Sequence, residues 1–533
     1  MLGLRMSKVT AIRRGNTTGS PSDTSIIALD RFIQSTRDSG YKGTVSAIAE
    51  LVDNSLEASA RRIDIHVRKS TAGDDFEVSV LDDGTGMDAG TLTEALRFGG
   101  TTRFNSRKGL GRFGMGLPNA SLSQAKRVDV FTWQSGESPI TSYLDVDQIV
   151  SGTLSAIPKP IRHSLPSFAK GKKSGTLVVW TRCDRLDHRR VSTVEKRLHG
   201  GLGRIFRHFL WAGTVITLNG KVIEPVDPIF LKTSFGDGSA KRFQETITVE
   251  VATDPENPSS SVGQVEILFT ELPVAEWHEL SNDEKRSRGI ANGAGVSVVR
   301  GKREVDFGWF FMGAKRRENY DDWWRGEIRF NPDLDDAFGI THTKQQIKPK
   351  DYLIEALQPI IEDTAKALNS RVRQKHLTLK TEKTGVEAEK LASRRHDRLR
   401  PIPKMKTQSG DTRALADLAG RHARVKEAIT DKTPATKYLL VQDEQDNGAF
   451  YKPLVTDGVL VAVLNSSHLF FRKFYEPLVG QSGLDPAKAS HVINLVLLAA
   501  TRAEALMNTK DERKTLTKFR KEWSQVLDAL LRS

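Results

Sequence analysis

The chain has 533 residues, of which 38% are hydrophobic and 27% are charged, and its formal net charge is +14. This length predicts two to four domains, and the composition is typical of a soluble globular protein. No run of about 18 apolar residues occurs and the first residues lack the apolar core of a secretory signal, so neither a membrane span nor secretion is predicted. The single Cys183 excludes a disulfide framework and a cysteine-rich zinc site, and it indicates a reducing cytoplasm.

The positive charge favours a polyanionic partner such as nucleic acid. It is concentrated in Ser370–Lys437, which has 18 Lys or Arg and 8 Asp or Glu and therefore carries +10 of the total +14. A basic segment of this kind can neutralise phosphates, so DNA is the predicted partner of this part of the chain.

Residues 1–22 are predicted to be a flexible tail, and residues 23–230 to form the first domain. In this region "RIDIHVRKS", "FEVSVLDDG", "VDVFTW" and "GTLVVWTRCD" have the alternation and β-branched content of strands. A helical stretch, "VSTVEKRLHGGLGRIFRHFLWAG", is followed by a hairpin with Asn219-Gly220 at its tip. The pattern predicts an α/β sandwich with a mixed or antiparallel sheet.

Residues 231–348 are predicted to form a second α/β domain, from strands such as "QVEILFTEL" and "GEIRF". A helix is expected over 349–375, kinked at Pro359. Residues 376–436 have few apolar side chains and are predicted to be a basic linker, disordered or partly helical. Residues 437–533 combine strand patterns with longer helical ones and predict a mostly helical C-terminal domain.

The segment "IAELVDNSLEA" predicts a short helix with an acidic face. Its apolar residues have helical spacing, while Glu50, Asp53, Asn54 and Glu57 fall at i, i+3, i+4 and i+7 and share one side. Carboxylates placed so closely repel one another mildly, and such a face is either a solvated helix surface or one that meets a ligand.

Two glycine-rich stretches follow. In "VLDDGTGMD" an aspartate, Asp82, stands at a strand end, where it can accept a hydrogen bond from the exocyclic amine of adenine, and Gly84 and Gly86 allow close approach of a flat ligand. In "GLGRFGMGLPNAS" a glycine-rich loop precedes a helical pattern, an arrangement that offers backbone N–H groups to phosphates.

These segments resemble the GHKL ATPase superfamily, which includes DNA gyrase B, the heat-shock ninety chaperone, MutL, MORC proteins and histidine kinases. "ELVDNSLEA", "DDGTGM", "GRFGMG" and "SGTLVVW" are similar to its four motifs and occur in the family order. The resemblance covers roughly residues 23–370. It implies a Bergerat-type ATPase α/β sandwich followed by a ribosomal S5-like transducer domain, with ATP and Mg²⁺ as ligands.

The resemblance also implies roles for individual residues. Asn54 matches the magnesium ligand, and Glu50 matches the general base that takes a proton from the attacking water. Asp82 matches the residue that binds the adenine amine. The ATP-binding set implied in this way is Asp53, Asn54, Asp82, Gly84, Gly86, Met87, Lys108, Gly109, Gly111, Phe113, Gly114, Gly116 and Thr176.

A second catalytic residue is implied in "THTKQQ". Lys344 matches the transducer lysine that reaches the γ-phosphate in gyrase-type, MutL and MORC-like members, where a fixed cation stabilises the charge of the transition state. Gyrase B has a glutamine where this chain has His342.

Other branches fit less well. A histidine kinase would carry its phosphoacceptor ahead of the ATPase domain, the chaperone has an acidic linker, and no metal-binding TOPRIM motif or MutL nuclease motif is present. The sequence resembles MORC-like and related prokaryotic ATPases most. We therefore expect a cytoplasmic ATP hydrolase that works as an ATP-gated homodimeric clamp on DNA. A chaperone-like ATPase that remodels a protein, and a nucleotide-gated scaffold with negligible turnover, remain alternatives, and a companion effector protein is left open.

Overall fold

The structure is a computed structural model. It describes residues 28–41, 43–70, 75–100, 115–236, 238–257, 261–340, 346–394, 396, 409–430, 436–445, 449–456, 459–475, 486–507 and 509–531. Among the helices in these ranges, none combines the length and the apolar character needed to cross a bilayer.

The N-terminal domain is a sheet with helices packed on it, as the sequence predicts. Its strands are β1 Arg62–Lys69, β2 Phe76–Asp82, β3 Arg127–Trp133, β4 Ile140–Asp145, β5 Ile161–Arg162, β6 Gly175–Cys183, β7 Val215–Leu218 and β8 Lys221–Val222. Their order is β5-β4-β3-β6-β2-β1-β7-β8, and every pairing is antiparallel except the parallel pair β1–β7. The predicted hairpin is confirmed, because Asn219 and Gly220 both have positive φ between β7 and β8.

Helices of this domain are α1 Leu29–Ser39, α2 Thr44–Glu57, α3 Ala89–Leu96, α4 Gly116–Gln124, α5 Val146–Val150, α6 Val191–Ile205 and α7 Arg207–Trp211. Alternate residues of β1, Ile63, Ile65 and Val67, are buried in one core with Ile48 and Val52 of α2. This burial of apolar surface fixes α2 against the sheet, so polar residues of the helix are held at defined positions.

The second domain is also α/β. Its strands are β9 Ser234–Phe235, β10 Gly238–Ser239, β11 Lys241–Arg242, β12 Ile247–Ala252, β13 Val262–Glu271, β14 Val296–Arg300, β15 Arg303–Gly308 and β16 Trp324–Phe330, and its short helices are α8 Val274–Trp277, α9 Asn282–Ser287 and α10 Asp335–Phe338. The main sheet has the order β11-β13-β16-β14-β15, with β12 paired to β13. β14 and β15 form an antiparallel hairpin whose strand ends meet at Arg300 and Arg303.

A long helix follows, α11 Asp351–Arg394. The helix predicted for 349–375 is therefore longer than expected, and it continues through Pro359. Its first half packs in the core of the second domain through residues such as Leu357 and Ile361. Its last turns pack in the C-terminal core through Ala388, and the buried Glu389 carboxylate accepts a hydrogen bond of 2.7 Å from the N–H of Leu440.

The C-terminal part is mostly helical, as the sequence predicts, and its helices pack around a small sheet. Where the structure describes this part, the sheet has the order β17-β19-β18, and the helices are α12 Ser409–Arg421, α13 Ala423–Thr430, α14 Pro486–Ala505 and α15 Lys510–Leu531, with a short helical turn, Phe471–Tyr475. The strands are β17 Tyr438–Asp443, β18 Tyr451–Thr456 and β19 Val459–Asn465. His468 is buried and accepts a hydrogen bond from the N–H of Phe470, which fits a packing role.

In the predicted linker 376–436 most of the described residues are helical, which agrees with the partly helical alternative. Leu415, Leu418 and Val425 of α12 and α13 are buried against β17 and β19. In the sequence, the helical spacing of these apolar residues is hard to see because many charged residues surround them. These helices belong to the C-terminal fold.

A buried ionic network joins the N-terminal domain to the second domain. Arg207 of α7 is completely buried and donates to Glu304 at 2.7 Å and to Glu327 at 2.5 Å. Burial alone would raise the pKa of Glu327, but His208, Arg207 and Arg329 hold it well below the usual range for glutamate. The network therefore connects α7 with β15 and β16 by charge pairs shielded from water.

We expect Arg207→Met to lower the free energy of unfolding by about 3 kcal/mol, because it leaves two buried carboxylates without this guanidinium. Urea unfolding at neutral pH measures the change. Since the folded-state pKa of Glu327 is lowered, its contribution is present above pH ~4.3 and is lost as the pH falls, so the variant should differ less from wild type in acid. As a control, Arg68→Met breaks an exposed pair with Glu77 and should cost less than about 1 kcal/mol. Equal losses in the two variants would contradict the assignment.

Candidate active site

Three of the predicted segments meet at one place in the N-terminal domain. The second half of α2, the end of β2 and the start of α4 come together at the edge of the core. Glu50 and Asp53 of α2 are 3% and 0% exposed, while Asn54 and Glu57 are half-buried. The acidic side of α2 therefore faces the interior of the domain at Glu50 and Asp53 rather than open solvent.

The carboxylate of Glu50 lies against the first residue of α4. A Cβ placed on Gly116 would be 2.2 Å from Glu50 Oε1 and 2.9 Å from its Cδ. Only a glycine gives the carboxylate this room. The positive end of the α4 dipole is favourable for the negative charge, and this places Glu50 where a phosphate-binding loop enters its helix.

Tyr41 lies close to the same carboxylate. Burial raises the pKa of Tyr41 well above the usual value for tyrosine, and the negative charge of Glu50 raises it further. The tyrosine is thus neutral at every working pH and serves as a hydroxyl neighbour of Glu50. It lies outside the four motifs, and its sequence context carries no signal of this role.

Asp53 has a partner that comes from the second domain. The Nε of Arg303, at the start of β15, is 2.8 Å from Asp53 Oδ2 and 3.0 Å from Oδ1. The resemblance implies that Asp53 belongs to the ATP-binding set, and the structure pairs its carboxylate with this guanidinium. The role of Asp53 toward a nucleotide stays a prediction.

Asp82 is held at the end of β2 by three hydrogen bonds. Its Oδ1 accepts the N–H of Gly84 at 2.9 Å and that of Thr176 at 3.1 Å, and its Oδ2 accepts the hydroxyl of Ser55 at 2.9 Å. Burial raises the pKa of Asp82 although these bonds oppose the rise. An ionised carboxylate has about four acceptor positions, so the fixed Oδ2 retains capacity for one more donor.

The turn after β2 requires glycines. Gly86 has a φ of +70°, and a Cβ there would lie 2.0 Å from the carbonyl oxygen of Trp133. The next residue, Met87, donates its N–H to Thr132 Oγ1 at 2.8 Å, and that hydroxyl is 3.2 Å from Thr176 Oγ1. Met87 and Thr176 are therefore linked through Thr132, a residue that the sequence alone did not indicate.

The donor chemistry near Asn54 suits magnesium. An amide oxygen beside carboxylates is a hard-oxygen set, and Mg²⁺ usually takes one or two such ligands together with phosphate oxygens and water. Asn54 is half-buried one helical turn after Glu50, so its side chain is partly accessible. Its amide oxygen is of the type that magnesium binds, and its role as magnesium ligand stays a prediction.

Several predicted residues lie outside the described residues. They are Lys108, Gly109, Gly111, Phe113 and Gly114 of the glycine-rich loop and Lys344 of "THTKQQ". Of the loop glycines, the described Gly116 alone is placed by the structure, and it is the one that contacts Glu50. The roles of the others stay predictions.

Comparison with known families agrees with this geometry. Residues 41–176 match the family model described as histidine kinase-, DNA gyrase B-, and HSP90-like ATPase. The match begins at Tyr41 and ends at Thr176, so it includes Glu50, Asp82 and the start of α4. The N-terminal domain is therefore an ATPase domain of this type, as the motifs predict.

Relatives of the MORC type match the same region. Human ATPase MORC2 is 34% identical over 99 residues, which cover 18% of this chain and 10% of the relative. Mouse ATPase MORC2B is 36% identical over 88 residues, 16% of this chain and 9% of the relative, and ATPase morc-1 of Caenorhabditis elegans is 32% identical over 94 residues, 18% and 11%. The matched region spans about a tenth of the length of these relatives.

We expect Gly116→Ala to lower ATP hydrolysis at least about tenfold while leaving the fold intact, because the added methyl group displaces the end of the flexible Glu50 side chain. Steady-state hydrolysis and the melting temperature measure the two effects. Gly200→Ala is the matched control, since a Cβ at Gly200 in α6 meets nothing within 4 Å. Unchanged hydrolysis in Gly116→Ala would show that the position of Glu50 is immaterial.

We expect Asp82→Asn to weaken ATP binding about tenfold or more, because the variant replaces a charged acceptor for the adenine amine. Equilibrium titration with ATP and with GTP measures the affinity and the preference for adenine. Asp83→Asn is the control, since exposed Asp83 accepts from the N–H groups of Arg61 and Arg62 on the outside of the turn. Retained affinity in Asp82→Asn would place the adenine pocket elsewhere.

Proposed function

We propose that this chain hydrolyses ATP in its N-terminal domain and uses the reaction to close and open a homodimeric clamp on DNA. The observation that carries the ATPase assignment is the contact between the Glu50 carboxylate and Gly116, since it brings the expected base to the helix that follows the glycine-rich loop. The clamp and its DNA partner rest on the resemblance to MORC-like ATPases and on the charge distribution of the chain.

In this proposal Glu50 accepts the proton of the water that attacks the γ-phosphate. Gly116 leaves room for its carboxylate, and the buried Tyr41 lies close to it. Asn54 would hold magnesium, which when bound neutralises phosphate charge. The first N–H groups of α4 face the same side and are suited to phosphate oxygens.

Adenine selection is assigned to Asp82. Ser55 and the N–H groups of Gly84 and Thr176 fix its carboxylate, so an incoming exocyclic amine meets a preorganised acceptor. Because a buried acceptor left without its donor is costly, a nucleotide that offers a carbonyl oxygen in place of the amine would be rejected.

The second catalytic residue in the proposal is Lys344. A cation at the γ-phosphate would stabilise the charge that develops there and would link nucleotide state to the second domain. The lysine lies outside the described residues, so its position relative to Glu50 is part of the proposal.

DNA contact is assigned to the basic segment Ser370–Lys437. In its described parts, basic side chains on α11, α12 and α13 are exposed, among them Lys383, Lys390, Arg413 and Lys426. Each phosphate that such a residue neutralises releases a counterion, so binding should weaken steeply as salt rises.

The decisive experiment measures ATP hydrolysis by the purified chain with and without long duplex DNA, with Glu50→Ala as the blank. We expect DNA to stimulate turnover and Glu50→Ala to bind ATP without hydrolysing it. DNA binding measured between 50 and 200 mM salt should weaken at least about tenfold.

The other outcomes discriminate between the alternatives. If DNA does not stimulate ATP hydrolysis and salt does not weaken DNA binding, the clamp on DNA is contradicted. That result would favour an ATPase that remodels a protein. Nucleotide binding with negligible turnover in wild type would contradict the hydrolase and favour a nucleotide-gated scaffold. Light scattering with a non-hydrolysable analogue tests the homodimer.

A further inference from the structure

We propose that Arg303 of the second domain is a positioning residue for the ATPase reaction, because it fixes, through Asp53, the turn of α2 that carries Glu50 and Asn54. The inference rests on the proposed function, since it assigns a further residue to the same site. It makes hydrolysis depend on contact between two domains.

The ion pair is deeply buried. The side chains of Arg303 and Asp53 are 3% and 1% exposed, and the guanidinium Nε approaches both carboxylate oxygens, at 2.8 and 3.0 Å. A carboxylate removed from water in this way depends strongly on its cation, because neither solvent nor salt screens the charge. Loss of Arg303 would therefore remove a guanidinium that contacts both carboxylate oxygens and weaken the hold on Asp53.

A backbone shift at Asp53 would move its helical neighbours as well. Asp53 stands one turn after Glu50 in α2 and directly before Asn54, and all three are in regular helix. A shift of this turn displaces the base and the expected magnesium ligand together. Displacements of about 1 Å at reacting groups can lower a rate a hundredfold, so a small shift is sufficient.

Arg303 is itself held in place by the interdomain network. The next residue, Glu304, accepts Arg204 Nε at 2.6 Å and Arg207 Nη1 at 2.7 Å, both from the N-terminal domain. The Arg303 guanidinium also lies 6.0 Å from the ring centroid of buried Phe206. These contacts pack the β14–β15 hairpin against the N-terminal domain and place the Arg303 guanidinium beside Asp53 of α2.

A rotation of the second domain would withdraw Arg303 from Asp53. The seated arrangement would then favour hydrolysis, and a rotated one would leave the α2 turn unsupported. This contact is distinct from the expected contact of Lys344 with phosphate, because it acts on the protein and requires no nucleotide.

The β14–β15 hairpin contains a second buried arginine, Arg300, which provides a matched control for Arg303. Arg300 is the cross-strand partner of Arg303 and is also buried, but its guanidinium pairs with Asp335 at 2.6 and 2.7 Å within the second domain. Arg300→Met and Arg303→Met therefore remove the same group from opposite strands of one hairpin. They differ in whether the lost partner belongs to α2.

The first test compares kcat and KM for ATP in the full-length chain. We expect Arg303→Met to lower kcat at least about tenfold with less than a threefold change in KM, Arg303→Lys to recover part of the lost kcat, and Arg300→Met to stay within about threefold of wild type. A loss confined to KM, equal losses in Arg300→Met and Arg303→Met, or no recovery in Arg303→Lys would overturn the proposal.

The second test needs no turnover. Melting temperatures of wild type, Asp53→Asn, Arg303→Met and the double variant form a cycle that measures the coupling of the two side chains. We expect the double variant to be clearly less destabilised than the sum of the single variants. Additive shifts would overturn the proposal even where Arg303→Met folds too poorly for kinetics.

Failure of this inference can be told from failure of the proposed function. Wild type that hydrolyses no ATP would overturn the proposed function. Wild type that hydrolyses ATP, with Arg303→Met doing so equally well, would overturn only the role of Arg303.

Discussion

The ion pair between Asp53 and Arg303 joins residues 250 positions apart in sequence, and the arrangement of the N-terminal and second domains centres on it. Water cannot compensate charge at this depth, so each buried carboxylate of the interface is matched by a guanidinium from the other domain. Arg303 meets Asp53, and Arg207 meets Glu304 and Glu327. Such pairs are directional and tolerate little sliding, which gives the interface a defined register that an apolar contact of equal size would not impose.

The candidate site uses carboxylates in two different ways. Asp82 receives backbone and hydroxyl donors from its own domain, so it is set when that domain folds. The Glu50 carboxylate lies against Gly116 at the start of α4. Its own helix, α2, is bound to the second domain through the pair of Asp53 with Arg303. The proposed recognition of adenine by Asp82 thus depends on the N-terminal domain alone, whereas the position of Glu50, the proposed general base, depends on both domains.

Much of this could be predicted from the sequence where the determinants are local. Strand alternation and the Asn219-Gly220 turn predicted β1, β2 and the hairpin, and four ordered motifs predicted the ATPase domain. The roles of Tyr41 and Arg303 could not be predicted, because each depends on contacts across the fold and neither stands in a motif. The packing of α12 and α13 on the C-terminal sheet could not be predicted for a related reason: charged residues dominate the composition of 376–436, while burial depends on a few leucines and valines that the sheet covers.

Helix α11 belongs to two cores at once, and this has a mechanical consequence. It has 44 residues, so it is about 66 Å long, and buried contacts hold it at one end to the second domain and at the other to β17. The half of α11 beyond the second-domain core is about 33 Å long, so a rotation of about 10° at the second domain would carry its far end through about 6 Å. Rotation of the second domain away from Asp53 would thus be passed on to the C-terminal sheet as a larger displacement.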